Sequence, residues 1–293
     1  MELKVNTIII GAGRSGTTSL YKIMEQHPKI CFSGIKEVHY FSVPDLYKRG
    51  ISYLHSFFKK WNNEPVLAVA DTYLMIDHEA ITRIYEYNPN MNIIVILRNP
   101  VDRAYSSYNY SVNYGHHVPY THFTDSIDME MSVADEPDIA KKNNVGHFYA
   151  GKYCFHLEKW FEIFKREQFL IMTTNELKAS QQLLADKLFK FLDIPPISTE
   201  VKAANVQAVP RSKGLEKFLL NRDHKLRRAL RWLTPGFLKR WIFGSGLVDK
   251  VHNSNRKQQE AEKLSPEERE VAMSYFKNDI ESLEENFGIR NVL

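Results

Sequence analysis

Short apolar runs and longer amphipathic ones alternate along most of the chain. Val5–Ile10, Ile30–Phe32, Val66–Ala70, Ile93–Leu97 and Phe169–Thr173 are rich in β-branched and aliphatic residues and read as buried strands. Between them, Thr18–Gln26, Asp45–Lys60, Glu79–Tyr87, a stretch leading to Phe164 and Gln181–Leu192 carry apolar residues at helical spacing. Asn99-Pro100 offers an N-cap and a first helical residue directly after one strand. Ser265-Pro266-Glu267-Glu268 opens a last helix that runs to Asn286-Phe287 and stops at Gly288. Strand alternating with helix predicts an α/β protein with a mainly parallel central sheet flanked by helices. Tyr110–Val145 is polar, aromatic and weakly periodic, and is expected to be a long surface excursion that covers an acceptor site.

At 293 residues the chain is expected to form a single domain, with a core over about 5–195 and a helical C-terminal extension over about 205–293. Hydrophobic content of 43% and charged content of 25% are ordinary for a globular protein, and a net charge of +4 gives no reason to expect nucleic acid as a partner. The two cysteines, Cys31 and Cys154, have no metal-ligand spacing and read as small buried apolar side chains. No stretch approaches the roughly 18 apolar residues of a membrane span, and the N-terminus has no leader pattern, so a cytoplasmic location is expected. From Lys213 to Arg240, nine basic residues stand against two acidic ones, interleaved with Leu, Phe and Trp. This stretch reads either as an amphipathic helical pair packed on the domain or as a peripheral surface (213–243) for anionic lipid or an anionic acceptor.

Two stretches carry candidate chemistry. The first is Gly11-Ala12-Gly13-Arg14-Ser15-Gly16-Thr17-Thr18 after the first strand. Glycines allow a sharp turn, and the helix start that follows favours an anion. Gly11 and Gly16 have Walker A spacing, but Thr17 replaces the lysine, which weakens a kinase or NTPase reading. Gly11, Gly13 and Gly16 also spell a dinucleotide fingerprint, with Glu37 as its acidic partner, which keeps an oxidoreductase reading open. The second stretch is Arg98-Asn99-Pro100 through Ser106, where an arginine at a strand end and a serine two turns into a helix suit a phosphate monoester. Arg103 in the same helix is expected on its solvated face. Between the two stretches, Lys36-Glu37-Val38-His39-Tyr40-Phe41 sets titratable groups among aromatics.

Arg14-Ser15-Gly16-Thr17-Thr18-x-Leu20 resembles the 5′-phosphosulfate loop of sulfotransferases that use 3′-phosphoadenosine-5′-phosphosulfate (PAPS), and Arg98 with Ser106 resembles their 3′-phosphate motif. Lys36-Glu37-x-His39-Tyr40-Phe41 is similar to the stretch that carries the general base in the carbohydrate, heparan-sulfate-like members. The resemblance covers about Thr7 to Asp193. It implies a P-loop-NTPase-like three-layer fold and sulfuryl transfer from PAPS to a hydroxyl or amine, on a glycan, glycolipid or other alcohol. It implies Glu37 as base, with His39 as competitor, and Arg14 and Lys36 as catalytic cations. Arg14, Ser15, Gly16, Thr17, Thr18, Arg98, Ser106 and a late loop residue, Arg211 or Lys213, would contact PAPS, and no metal is implied. Relatives commonly have a Lys-x-Pro-x-Tyr motif near Asp71-Thr72-Tyr73; this chain lacks its lysine and proline, which leaves Lys36 as the second cation or Arg14 as the sole one. A non-catalytic nucleotide binder with a basic membrane-facing surface is the reading from a different class.

Overall fold

The fold comes from a computed structural model that describes residues 3–113, 118–119, 121–200, 208–210, 256–258, 263–290 and 292–293. Arg211, Lys213, the basic stretch 213–243 and the paired histidines His116 and His117 lie outside the described residues. Contacts divide the chain into two compact units, one made of residues 1–107, 120–204 and 264–293, the other of 108–119 and 205–263.

The larger unit is built on strands β1 (Thr7–Gly11), β2 (Ile30–Phe32), β3 (Val66–Ala70), β4 (Asn92–Leu97) and β5 (Phe169–Thr173). They form one sheet in the order β2-β3-β1-β4-β5, with every pairing parallel. The runs read as strands are the strands observed, because a strand covered on both faces must be apolar at successive positions. Side chains alternate between two layers. Ile8, Ile10, Val69, Ile93 and Val95 join one apolar cluster, and Ile9, Ala68, Ala70, Ile94 and Ile96 join the other.

The helices are α1 (Thr17–Glu25), α2 (Pro44–Tyr47), α3 (Ile51–His55), α4 (His78–Tyr87), α5 (Pro100–Asn113), α6 (Glu130–Ala134), α7 (Ile139–Val145), α8 (Tyr153–Phe161), α9 (Thr174–Ala179), α10 (Gln181–Phe191) and α11 (Pro266–Phe287). Leu20 and Ile23 of α1 and Leu184, Leu188 and Phe189 of α10 cover one sheet face. Ile81 and Ile84 of α4, Leu157 and Trp160 of α8 and Leu283 of α11 cover the other. This is the three-layer architecture expected.

Two stretches differ from their sequence reading. Asp45–Lys60 is broken into α2 and α3 at Gly50, which has φ +78° and ends any continuous helix there. Tyr110–Val145 is more ordered than a surface excursion: α5 continues to Asn113, α6 and α7 follow, and Phe123, Val133 and Ile139 are buried. In the smaller unit, Ala208–Pro210 pairs antiparallel with Arg256–Gln258 as strands β6 and β7, in a region read as helical. Three-residue strands are too short to show an alternation. Among the described residues no helix is long and apolar enough to cross a membrane, and Cys31 and Cys154 are buried and unbridged.

Candidate active site

The sheet order puts β1 between β3 and β4, so the C-terminal ends of three strands meet where the chain leaves in opposite directions. Open α/β sheets bind ligands at such a point. The β1–α1 turn supplies the first side of the site. Gly11 has φ +150°, and a Cβ there would stand 2.9 Å from Cβ of Met75. Gly16 has φ +104°, and a Cβ would stand 3.1 Å from a methyl of Leu177. Arg14 between them takes the left-handed conformation at φ +68°. The turn is tied down by Ala12 N–H to the Ile96 carbonyl (2.9 Å), and by the Thr174 hydroxyl donating to the carbonyls of Ser15 (2.7 Å) and Leu97 (3.1 Å).

Helix α1 then starts without a side-chain cap and with no acidic residue in its first turn. Its first main-chain bond is Leu20 N–H to the Gly16 carbonyl (3.1 Å), so the N–H groups of Gly16 to Ser19 precede the ladder. A helix terminus of this kind carries partial positive charge and attracts an anion.

The β4–α5 corner supplies the second side. The Asn99 side chain accepts from the N–H groups of Val101 (3.0 Å) and Asp102 (3.1 Å), so α5 starts where its sequence requires. Arg98 donates through Nη1 to the Arg14 carbonyl (3.3 Å), and Arg14 Nε donates to Ser106 Oγ (3.3 Å). The two motifs, 84 to 92 residues apart in sequence, therefore join into one patch of arginine and hydroxyl donors. The Tyr153 hydroxyl donates to the Arg98 carbonyl (2.9 Å) and braces the corner from α8.

The third side is the segment after β2. Lys36 Nζ reaches Oγ1 of Thr17 (3.5 Å) and of Thr18 (3.3 Å) at the α1 terminus, and lies 3.6 Å from the Glu37 carboxylate. Thr72 Oγ1, at the end of β3, donates to Glu37, 2.9 and 3.1 Å from its two oxygens. His39 Nε2 stands 3.9 Å from Glu37, while its Nδ1 bonds buried Asp71 at 3.0 Å. Asp71 also accepts from the Ser42 hydroxyl (2.5 Å) and the Tyr73 N–H (3.1 Å), and the His39 ring stacks on Tyr73. Burial works against a charged His39, but the Asp71 hydrogen bond and the charges of Asp71 and Glu37 outweigh it, so the imidazole pKa is raised. Glu37, His39 and Asp71 also have the mutual spacing of a metal trio.

The turn, the corner and the segment after β2 thus bring Arg14, Lys36, Thr17, Thr18, Arg98 and Ser106 together, with Glu37 as the carboxylate among them. Ser15 and Thr17 are buried in the turn. Lys36 reaches the start of α1, at Thr17 and Thr18, where a second cation would stand. The donor set fits a polyanion: it is made of guanidinium, ammonium, hydroxyl and main-chain N–H groups. Sequence reasoning missed Thr72 as a partner of Glu37 and Asp71 as a partner of His39. The only signal for either was their place at a strand end.

It also misplaced Arg103, which is 2% exposed rather than solvated. The His147 carbonyl and the Tyr153 phenol lie against it, so the face of α5 that carries Arg103 is an inner one. Arg103 Nη2 donates to the His147 carbonyl.

A P-loop-like fold with a glycine turn and an uncapped helix start at the end of β1 is the class that these features define. The chain matches the family described as "Sulfotransferase domain" over residues 4–229, and it belongs to that family. It is 25% identical over 224 residues to bifunctional heparan sulfate N-deacetylase/N-sulfotransferase 1 of Caenorhabditis briggsae, covering 73% of this chain and 25% of that protein. It is 23% identical over 250 residues to human carbohydrate sulfotransferase 15, covering 67% of this chain and 45% of that one. The chain thus spans a quarter to just under half of these relatives' lengths. Among solved structures, a sulfotransferase from Alicyclobacillus acidocaldarius superposes with a TM-score of 0.67 at 20% identity, over 99% of this chain and 98% of that one. Mouse sulfotransferase SULT7A1, solved in complex with PAP, superposes with a TM-score of 0.50 at 15% identity, over 96% and 86%.

Proposed function

We propose that this chain moves a sulfuryl group from PAPS to a hydroxyl or amine of a carbohydrate acceptor. The observation that carries the proposal is the position of Lys36, which touches Thr17 and Thr18 at the uncapped start of α1 and lies 3.6 Å from Glu37. One residue thereby links an anion site to a carboxylate that can take a proton.

In this reading Glu37, oriented by Thr72, removes the acceptor proton as the acceptor oxygen or nitrogen bonds to sulfur. The bond from sulfur to the bridging oxygen of the 5′-phosphate breaks, and adenosine 3′,5′-bisphosphate (PAP) leaves. Arg14, Ser15 and the N–H groups of Gly16 to Thr18 hold the charge that grows on that oxygen, and Lys36 balances the sulfuryl oxygens. Arg98 and Ser106 hold the 3′-phosphate, and Arg211 belongs to the loop assigned to close over the nucleotide. His39, held by Asp71, competes with Glu37 for the role of base. No step uses a metal; activity that disappears on chelation and returns with a divalent ion would place one at Glu37, His39 and Asp71 instead.

The carbohydrate acceptor rests on the names of the relatives and on the Lys36-Glu37-x-His39 stretch. Calorimetric titration with PAP tests the nucleotide half of the reading. Micromolar binding that Arg98→Ala weakens roughly ten- to a hundred-fold is the expected result. Binding of Mg-ATP or a nicotinamide dinucleotide in place of PAP would return the turn to its kinase or oxidoreductase alternatives.

A further inference from the structure

Arg103 poses an electrostatic problem that the reaction does not use. Its guanidinium is buried, and one bond, from Nη2 to the His147 carbonyl, is the hydrogen bond found for its five donors, with Nε unpartnered. Among the described residues it meets no carboxylate at ion-pair distance; its helix neighbour Asp102 is bound instead to Arg269 at 2.7 Å. The groups that act on it are two further cations, Arg98 and Arg14, and the neutral Tyr153 phenol. His147, on its other side, is itself held neutral by burial and by the Arg103 charge, with its pKa lowered to about 3. Burial together with Arg98 and Arg14, against the effect of Tyr153, lowers the Arg103 pKa to about 10, so the group stays charged at neutral pH. A buried charge without a counter-charge is costly, and proteins keep one where something supplies the missing partner.

Ser106 lies three residues on from Arg103 in α5, one turn along the same face. Ser106 accepts from Arg14, and Arg14 in turn accepts from Arg98. The corner therefore gathers three arginine charges around one hydroxyl. We propose that Arg103 is a buried positioning residue for a phosphate group: a dianion held by Arg98 and Ser106 completes the charge balance that the chain leaves open, and Arg103 raises its affinity without touching it. This rests on the reading of Arg98 and Ser106 as an anion site, and it assigns to that site the discrimination between nucleotides with and without a 3′-phosphate.

The test uses the full chain and two variants, Arg103→Met, of similar volume and uncharged, and Arg103→Lys, which keeps the charge. Inorganic phosphate is the first probe, read by thermal melting. It should raise the melting temperature of the wild type and of Arg103→Lys clearly more than that of Arg103→Met, whatever nucleotide the chain uses. PAP and adenosine 5′-phosphate, read by calorimetry, are the second pair. Arg103→Met should lose roughly ten-fold in PAP affinity and little for adenosine 5′-phosphate. Its ligand-free melting temperature should be unchanged or higher, because an uncompensated charge has gone.

Wild-type phosphate protection and PAP affinity in Arg103→Met would overturn the proposal. So would equal losses for both nucleotides together with a lower ligand-free melting temperature, the mark of a merely structural arginine. If Arg103→Met does not fold, Arg103→Lys decides: retained preference for PAP supports the proposal, and loss of that preference at wild-type melting temperature overturns it. Phosphate protection that depends on Arg103 in a chain that does not bind PAP would uphold this inference and remove the nucleotide reading.

Discussion

The two sides of the site treat charge in opposite ways. On the Glu37 side the chain balances itself: Glu37 has Lys36 and Thr72, His39 has Asp71, and Asp71 has Ser42 and the Tyr73 N–H. On the Arg98 side, Arg98 and Arg103 meet only carbonyl oxygens, and no carboxylate balances either among the described residues. Groups that must hold a fixed geometry through a proton transfer are locked by partners inside the protein. Groups that bind are left for the ligand to satisfy. Under the proposed function, the contrast divides the site into a part that performs chemistry and a part that supplies affinity, and variants on the two sides should fail in different ways.

The largest effect is expected at the balanced side. Glu37→Gln keeps the shape of the carboxylate but cannot take a proton, and should lower turnover by roughly 10²–10⁴-fold. Its PAP affinity should stay close to wild type; a large loss of affinity in calorimetry would place Glu37 in the binding half and erase the contrast. At the unbalanced side, Arg98→Ala should weaken PAP by roughly ten- to a hundred-fold, in line with about 1.5–3 kcal/mol for a hydrogen bond to a charged group. Adenosine phosphosulfate, which lacks the 3′-phosphate, should be weakened far less, and equal losses would remove Arg98 from the 3′ site.

His147 gives a pH-dependent version of the same comparison. Burial, reinforced by Arg103, lowers its pKa from 6.5 to about 3. The unfolded chain therefore binds a proton between those values that the folded chain refuses. The contribution to stability is complete above pH 6.5 and is lost as pH falls toward 3. His147→Gln should thus lose less stability than the wild type between pH 7 and pH 5, by about 2 kcal/mol. Denaturant titration at the two pH values reads the difference, and parallel losses would mean that burial does not hold His147 neutral in the folded chain. The smallest effect is expected at Ser106→Ala, which removes one hydroxyl from the arginine cluster: a loss in PAP affinity of about 0.5–1.5 kcal/mol, with kcat unchanged. A fall in kcat at constant affinity would move Ser106 to the chemical half.

Much of this is legible in the sequence alone. The strands Val66–Ala70 and Phe169–Thr173 were readable to the residue, because a strand buried on both faces must be written in consecutive apolar residues. The N-cap Asn99, the capping Ser265 and the terminal Gly288, at φ +63°, follow from local chemistry alone, since each satisfies main-chain groups within a few residues of itself. The glycine turn before α1 and the arginine at the end of β4 were legible for the same reason: both are local devices.

The tertiary structure decided everything that depends on which strand lies beside which. The order β2-β3-β1-β4-β5 sets the ends of β1, β3 and β4 side by side, and only then does Thr72 meet Glu37 and Asp71 meet His39 across 32 to 35 residues. Arg103 shows the limit most clearly. Its helix is amphipathic, and charge by itself assigns it to the solvent face; the segment around His147 and the Tyr153 phenol make that face an interior one. Local interactions are written in spacing along the chain, whereas burial and charge balance belong to neighbours brought together by the sheet.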